Sequence, residues 1–66
     1  MKKEKQEKSE SKTRILIVDD HPVVRQGLIQ LINYEPYLVV SAEAENAAQA
    51  LKILEKESVD ITVVNI

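Results

Sequence analysis

The sequence lacks cysteine and is poor in glycine, histidine and aromatic side chains. Its 66 residues include one glycine, one histidine and two aromatic residues, Tyr34 and Tyr37. Without cysteine, neither a disulfide nor a thiolate metal site can form. The single histidine, His21, has no second histidine or cysteine with which to share a metal ion. No basic patch interleaved with aromatic residues is present, so nucleic-acid binding is not expected.

Long apolar segments are also missing. No stretch approaches the length needed to cross a membrane, and the charged N-terminus lacks the apolar core of a signal peptide. We therefore expect a cytoplasmic protein that does not associate with membranes. A chain of this size buries only about 60% of its unfolded surface, so as an isolated monomer it is expected to have marginal stability.

Charge divides the chain into a tail and a compact part. Residues 1–13 carry five lysines and three glutamates, and no large apolar residue follows the initiator methionine. Residues 14–66 carry four basic and eight acidic residues. A segment as polar as the first cannot bury enough apolar surface to offset its ordering entropy. We predict a disordered charged tail over residues 1–13 and one small domain over residues 14–66.

The domain is organised around residues 14–22, which read RILIVDDHP. Four consecutive large apolar residues predict a strand buried on both faces. Pro22 suits the first position of a helix, where its missing N–H does no harm. Asp19 and Asp20 therefore end a central strand that turns directly into a helix.

The first predicted helix starts at Pro22 and ends before Pro36, because the residue before a proline is pushed away from helical geometry. Gly27 falls on its apolar face, which suggests that the helix lies close to the sheet there. The predicted apolar stripe comprises Val23, Val24, Gly27, Leu28, Leu31 and Ile32.

A second strand is predicted over residues 38–43 and a third over residues 61–66, both rich in β-branched residues. Between them, Asn46 is a good N-cap for a helix over residues 47–57. The apolar stripe predicted for this second helix comprises Ala47, Ala50, Leu51 and Leu54.

The element order β-α-β-α-β with short connections predicts an α/β fold with a parallel sheet. Crossover connections are right-handed in nearly all proteins. If the strands lie in the order 2-1-3, the two helices therefore cover opposite faces and the first strand is central. This order creates a crevice between the carboxyl ends of strands one and three, where Asp19, Asp20 and Asn65 all fall.

Residues 14–66 resemble the first half of a response-regulator receiver domain of two-component signalling. The string IVDDHPVVRQGL at residues 17–28 resembles the NarL/FixJ (LuxR-type) subfamily. The resemblance implies a flavodoxin-like (CheY-like) fold, truncated after the third of five strands. It also implies that Asp19 and Asp20 match the pair of acids that holds Mg²⁺ in receivers. Position 65 matches the aspartate that accepts a phosphoryl group from a histidine kinase.

Two departures from the receiver pattern decide the functional interpretation. The phospho-acceptor position holds Asn65, whose neutral amide is not a nucleophile for phosphoryl transfer. The family's strand-four hydroxyl, strand-five lysine, output face and DNA-binding helix-turn-helix do not occur in these 66 residues. We therefore predict that the chain is not phosphorylated, is not an enzyme and requires no cofactor.

The acid pair has two interpretations. Asp19 and Asp20 form a weak Mg²⁺ site at best, because an amide replaces the third carboxylate. The alternative, which we favour, is that one acid caps the helix while the other faces water. His21 is expected to pack beside the acids without a metal or acid–base role. Arg25 is expected to be a surface residue that can pair with a nearby acid.

The third strand, residues 61–66, is expected to be a bare apolar edge, and such an edge is a template for pairing. The favoured function is therefore a non-phosphorylatable pseudo-receiver that acts as a dimerisation module, with a symmetric homodimer joined through this strand. The alternative is a fragment of a phospho-accepting NarL-type regulator of transcription. A third interpretation pairs the edge with a full-length receiver or a histidine kinase.

Overall fold

A computed structural model of the chain describes residues 12–66, so most of the predicted tail lies outside the described residues. The three strands are parallel and lie in the order β2-β1-β3. The predicted α/β, flavodoxin-like arrangement is therefore confirmed. The elements are β1 (Thr13–Asp19), α1 (Pro22–Asn33), β2 (Leu38–Ala44), α2 (Ala47–Lys56) and β3 (Ile61–Asn65).

β1 is the buried centre of the sheet, as its apolar run predicts. It pairs with β2 on one side and with β3 on the other. Leu16 and Ile17 have no exposed surface, and their neighbours Ile15 and Val18 are almost as deeply buried. Alternate residues of a strand point to opposite faces, so this burial requires cover above and below the sheet.

β2 contains a β-bulge that the sequence analysis did not predict. Ile15 and Leu16 are adjacent in β1, yet their partners Val40 and Ala42 are two positions apart in β2. Ser41 is the extra residue. One inserted residue moves every later side chain of the strand to the opposite face.

The bulge determines to which face of the sheet each side chain at the end of β2 points. Beyond it, Glu43 pairs with Ile17 and Ala44 pairs with Val18. Ala44 packs with Val18 in the core on the α2 side of the sheet, where Ala50 is also buried. Glu43 therefore points to the other face, which α1 covers.

The predicted cap of α2 is confirmed, but its predicted stripe is partly wrong. The Oδ1 of Asn46 accepts a hydrogen bond of 2.9 Å from the backbone N–H of Gln49. Ala50 is buried and Ile53 packs against the core, whereas Leu51 and Leu54 are 62% and 41% exposed. The helix is turned so that the small Ala50 meets the alanines of β2, which leaves the two leucines on its flank.

α1 begins at Pro22 and ends at Asn33, close to the prediction. Its half-buried apolar residues include Ile29, which the predicted stripe omitted. Val23 and Leu31, which the stripe included, are 85% and 69% exposed. The apolar surface of this helix is wide, and periodicity alone does not determine which part of it faces the sheet.

Two hydrogen bonds to β2 explain the observed orientation of α1. The Oδ1 of Asn33 accepts a hydrogen bond of 2.8 Å from the backbone N–H of Val40. Near the other end of the helix, Arg25 bonds Glu43. These two contacts hold one flank of α1 over β2, so the flank that carries Val24 and Leu31 points away from β2.

The expectation that Gly27 marks a close approach of α1 to the sheet is wrong. A Cβ added at this position would have no atom within 4 Å. The residue is exposed, because the helix turns this side towards solvent. No close contact therefore requires glycine at position 27. Inside a helix, glycine lowers the stability by up to about 1 kcal/mol relative to alanine.

Replacing Gly27 with alanine should stabilise the chain by about 0.5–1 kcal/mol, because alanine loses less backbone freedom on folding and meets no atom here. Urea unfolding measures the change. Gln26→Ala, at the neighbouring exposed position, is the matched control and should change stability by less than about 0.5 kcal/mol. A loss of stability in Gly27→Ala would show that something covers this side of α1.

β3 is the least covered element of the sheet. Within residues 12–66 it contacts β1 alone, and neither helix packs on it. Ile61 and Val64 are 48% and 63% exposed. Its outer edge and much of both its faces are consequently open in the described part of the chain. Neither α1 nor α2 is long and apolar enough to cross a membrane.

Candidate functional site

The carboxyl ends of β1 and β3 meet at one polar contact. Asp19 and Asn65 are partners in the register of the two strands. The Nδ2 of Asn65 donates a hydrogen bond of 2.9 Å to Oδ2 of Asp19. The parallel pairing thus brings together two of the three predicted site residues.

Asp19 is completely buried, and both of its carboxylate oxygens accept hydrogen bonds. Oδ1 accepts from the backbone N–H of His21 at 2.8 Å, and Oδ2 accepts from Asn65. The backbone hydrogen bond from His21 is the main reason that the pKa of Asp19 lies below its usual value, and the Asn65 amide adds to it. Burial acts in the opposite direction. The carboxylate is therefore held ionised.

Asp20 and His21 form the outer part of the site. The Asp20 side chain is half exposed, and its Oδ1 lies 2.8 Å from Nδ1 of His21. That ring nitrogen is also 3.5 Å from Oδ1 of Asp19. His21 thus lies beside both acids, where the sequence analysis expected it.

The expected helix cap is not formed. His21 occupies the N-cap position of α1, and its side chain makes no capping hydrogen bond. Asp19 uses Oδ1 on the backbone N–H of His21, one residue before the helix begins, so it closes the turn rather than capping the helix. The prediction that one acid of the pair caps α1 was wrong for this reason.

Arg25 is more buried and makes more hydrogen bonds than the sequence predicts. Its side chain is only 14% exposed. Nε donates to Oε1 of Glu43 at 2.8 Å, and Nη1 donates to the main-chain carbonyl of Asp19 at 2.7 Å. The expected pairing with an acid is present, but the residue is not a surface one. Its acid lies 18 residues away, on a face set by the bulge, and no local spacing in the sequence indicates that contact.

The residues at this site do not fit a tight Mg²⁺ site. Asp19, Asp20 and His21 can each place one ligand atom within 4.8 Å of the others. Mg²⁺ prefers octahedral oxygen ligands and is usually held by carboxylates. Here Asp19 is closed to solvent with both oxygens occupied, so an ion would have to displace the Asn65 amide. Asn65 could then offer only a neutral oxygen in exchange.

Comparison with known proteins agrees with the fold. The family model described as the response regulator receiver domain matches residues 15–66. The transcriptional regulatory protein DegU of Brevibacillus brevis is 33% identical over 58 residues, 88% of this chain and 25% of that protein. The nitrate/nitrite response regulator NarL of Escherichia coli K12 is 36% identical over 52 residues, 79% of this chain and 24% of that protein. No solved structure matches the chain significantly.

The chain therefore belongs to the response-regulator receiver family. The DNA-binding transcriptional activator DevR/DosR of Mycobacterium tuberculosis is 36% identical over 53 residues, 80% of this chain and 24% of that protein. These relatives confirm the resemblance to NarL-type receivers. The chain spans about a quarter of the length of these relatives.

Acid unfolding should depend on Asn65. The folded-state pKa of Asp19 lies below the ordinary value of 3.8, so the carboxylate stabilises the fold above that pH. This contribution is lost as the pH falls through the lowered pKa. Asn65→Ala removes one cause of the lowering, so the loss of stability on acidification should be smaller and should be complete at a higher pH. Urea unfolding at several pH values below neutrality measures the difference.

The matched control is Asn33→Ala, which also removes one asparagine hydrogen bond but lies far from the acids. It should lower stability by a similar amount at every pH. An identical pH dependence for the two variants would show that the Asn65 amide does not act on Asp19.

Proposed function

We propose that the chain is a pseudo-receiver: a receiver-family module of two-component phosphorelay signalling that is not phosphorylated and acts through association. The observation that carries this proposal is the hydrogen bond from Asn65 to Asp19. An aspartate at position 65 would set two carboxylates against each other, and such a pair repels unless a cation lies between them or one of them is protonated. The amide replaces that repulsion with an attraction.

The amide at position 65 also argues against phosphoryl acceptance. Transfer needs an anionic oxygen nucleophile and a cation on the transferred group. Asn65 supplies neither, and its Nδ2 already donates to Asp19. We therefore assign no enzymatic activity to the chain, and we propose that it needs no cofactor. Mg²⁺ binding at Asp19 and Asp20 is proposed to be weak.

Incubation with acetyl phosphate and Mg²⁺ tests this proposal. Intact-mass measurement should show no phosphorylated species, whereas a receiver of the same family with an aspartate at this position should be modified under identical conditions. Mg²⁺ should also leave the unfolding midpoint of the chain unchanged, because Asp19 is already satisfied. A phosphorylated chain would refute the proposal.

Two variants sharpen the magnesium part of this prediction. Asn65→Asp should lower stability by about 1–2 kcal/mol in the absence of divalent ions. Millimolar Mg²⁺ should then restore it, because an ion that binds only the folded state stabilises that state. Asn33→Asp keeps its hydrogen-bond acceptor and introduces the same charge elsewhere, so its stability should not depend on Mg²⁺.

The alternative function is a phospho-accepting part of a NarL-type regulator of transcription. It draws support from the relatives, one of which is described as a DNA-binding transcriptional activator. That alternative requires a carboxylate at position 65. We propose a cytoplasmic location for the chain.

We further propose that the 66-residue chain forms a symmetric homodimer through β3. The outer edge of this strand has no partner within residues 12–66. An unpaired apolar strand edge readily pairs with another chain. Antiparallel pairing of two such edges would give one continuous six-stranded sheet. A histidine kinase or a full-length receiver is the other candidate partner, and a pull-down with each would detect it.

Val64→Lys should abolish this dimer. Val64 is 63% exposed in the protomer, so lysine there costs the monomer little and places two charges near the proposed interface. Sedimentation at micromolar concentration should show a dimer for the unmodified chain and a monomer for the variant. Val23→Lys, at a position 85% exposed on α1, is the matched control and should leave the dimer intact. A well-folded monomer of the unmodified chain would refute the proposed interface.

A further inference from the structure

We infer that Arg25 is the positioning residue of the Asp19–Asn65 site: held by Glu43, it fixes the end of β1 so that the Asp19 carboxylate meets the Asn65 amide. This inference deepens the proposed function, because it names the residue that maintains the closed, unphosphorylated site. It concerns a side chain whose hydrogen bonds go to Glu43 and to the main-chain carbonyl of Asp19.

The geometry of the guanidinium supports this role. Nη1 donates to the carbonyl of Asp19 at 2.7 Å, and Nε donates to Oε1 of Glu43 at 2.8 Å. Both bonds are short and charge-assisted, which places them among the stronger hydrogen bonds in proteins. The guanidinium is planar and its donors are fixed relative to one another. One side chain therefore links α1 to the carboxyl ends of both β1 and β2.

Because Asp19 lies between β1 and α1, a link to its main chain affects the hydrogen bonds of its carboxylate. Asp19 is the last residue of β1, and α1 begins three positions later. Its carboxylate must reach the N–H of His21 on one side and the amide of Asn65 on the other. Hydrogen bonds weaken steeply with misalignment. Movement of the Asp19 main chain would disturb both contacts, and the carbonyl that Arg25 holds is part of that main chain.

The bulge in β2 is an independent observation in favour of the same role. In regular register, Glu43 would pair with Val18 and face α2, out of reach of Arg25. The extra residue, Ser41, shifts the pairing so that Glu43 lies beside Ile17 on the α1 side. The irregularity thus places the acid where it can hold Arg25 against Asp19.

Arg14 provides a matched comparison within the chain. Its Nε lies 3.8 Å from Oδ2 of Asp60, and both side chains are 48% exposed. This pair lies near the start of β1, at the opposite end of the sheet from the Asp19 carboxylate. Solvent screens such pairs, and they contribute little to stability. Replacement of Arg14 therefore removes an arginine–aspartate pair without touching the site.

The test is an NMR measurement on the Asn65 side-chain amide in the full chain. In the unmodified protein, its Nδ2 protons should exchange slowly with water and resonate downfield, as expected for donation to a carboxylate. Arg25→Ala should increase their exchange rate by about tenfold or more. Arg25→Lys should give an intermediate rate, because lysine can keep one contact but not the fixed pair.

Two further variants separate positioning from general stabilisation. Glu43→Gln keeps an oxygen that can accept from Nε of Arg25, so the Asn65 amide should remain protected. Arg14→Ala should leave the amide signal unchanged even if it lowers overall stability. Amide protection that survives in Arg25→Ala, or that is lost equally in Arg14→Ala, would overturn the inference.

If Arg25→Ala does not fold, Arg25→Lys decides the question, and a lysine variant with unaltered Asn65 protons would overturn the assignment. The outcome is independent of the phosphorylation experiment. A chain that accepts a phosphoryl group would refute the proposed function, while the response of the Asn65 amide to replacement of Arg25 would still report on positioning.

Discussion

A carboxylate with no access to solvent lies at the end of the central strand, and the surrounding structure is arranged to accommodate it. Burying an unpartnered charge is strongly unfavourable, so Asp19 needs a donor for each oxygen. The turn into α1 supplies the N–H of His21, and β3 supplies the amide of Asn65. The second donor depends on the strand order, because only β3 beside β1 brings position 65 to this point.

Two polar side chains of α1 connect this site to the architecture of the sheet. Arg25 and Asn33 bond β2 at opposite ends of the helix and so set its rotation. The bulge at Ser41 makes the first of these bonds available by turning Glu43 towards α1. A helix oriented by apolar packing alone would have several acceptable rotations, since its apolar surface is broad. Here the hydrogen bonds select one of them.

Much of the fold follows from local signals in the sequence. The apolar run before Asp19 indicated a central strand, Pro22 and Asn46 marked two helix starts, and the carboxyl ends of neighbouring strands placed Asn65 near Asp19. The rotation of α1 did not follow, because Ile29 and Leu31 are equally apolar and periodicity cannot rank them. The bulge did not follow either: Ser41 suits a regular strand as well as a bulged one, and only pairing with β1 reveals the extra residue.

The open side of the sheet constrains how the chain can associate. In α/β folds both faces of a parallel strand are covered by helices, yet within residues 12–66 β3 contacts β1 alone. Edge pairing between two copies would satisfy backbone groups but would leave the faces of both β3 strands bare. The exposed flank of α1, with Val24 and Leu31, lies on the side away from β2. A partner that closes the edge of β3 gains most if it also packs an apolar surface against this flank, so side-chain burial, more than strand pairing, should determine the strength of association.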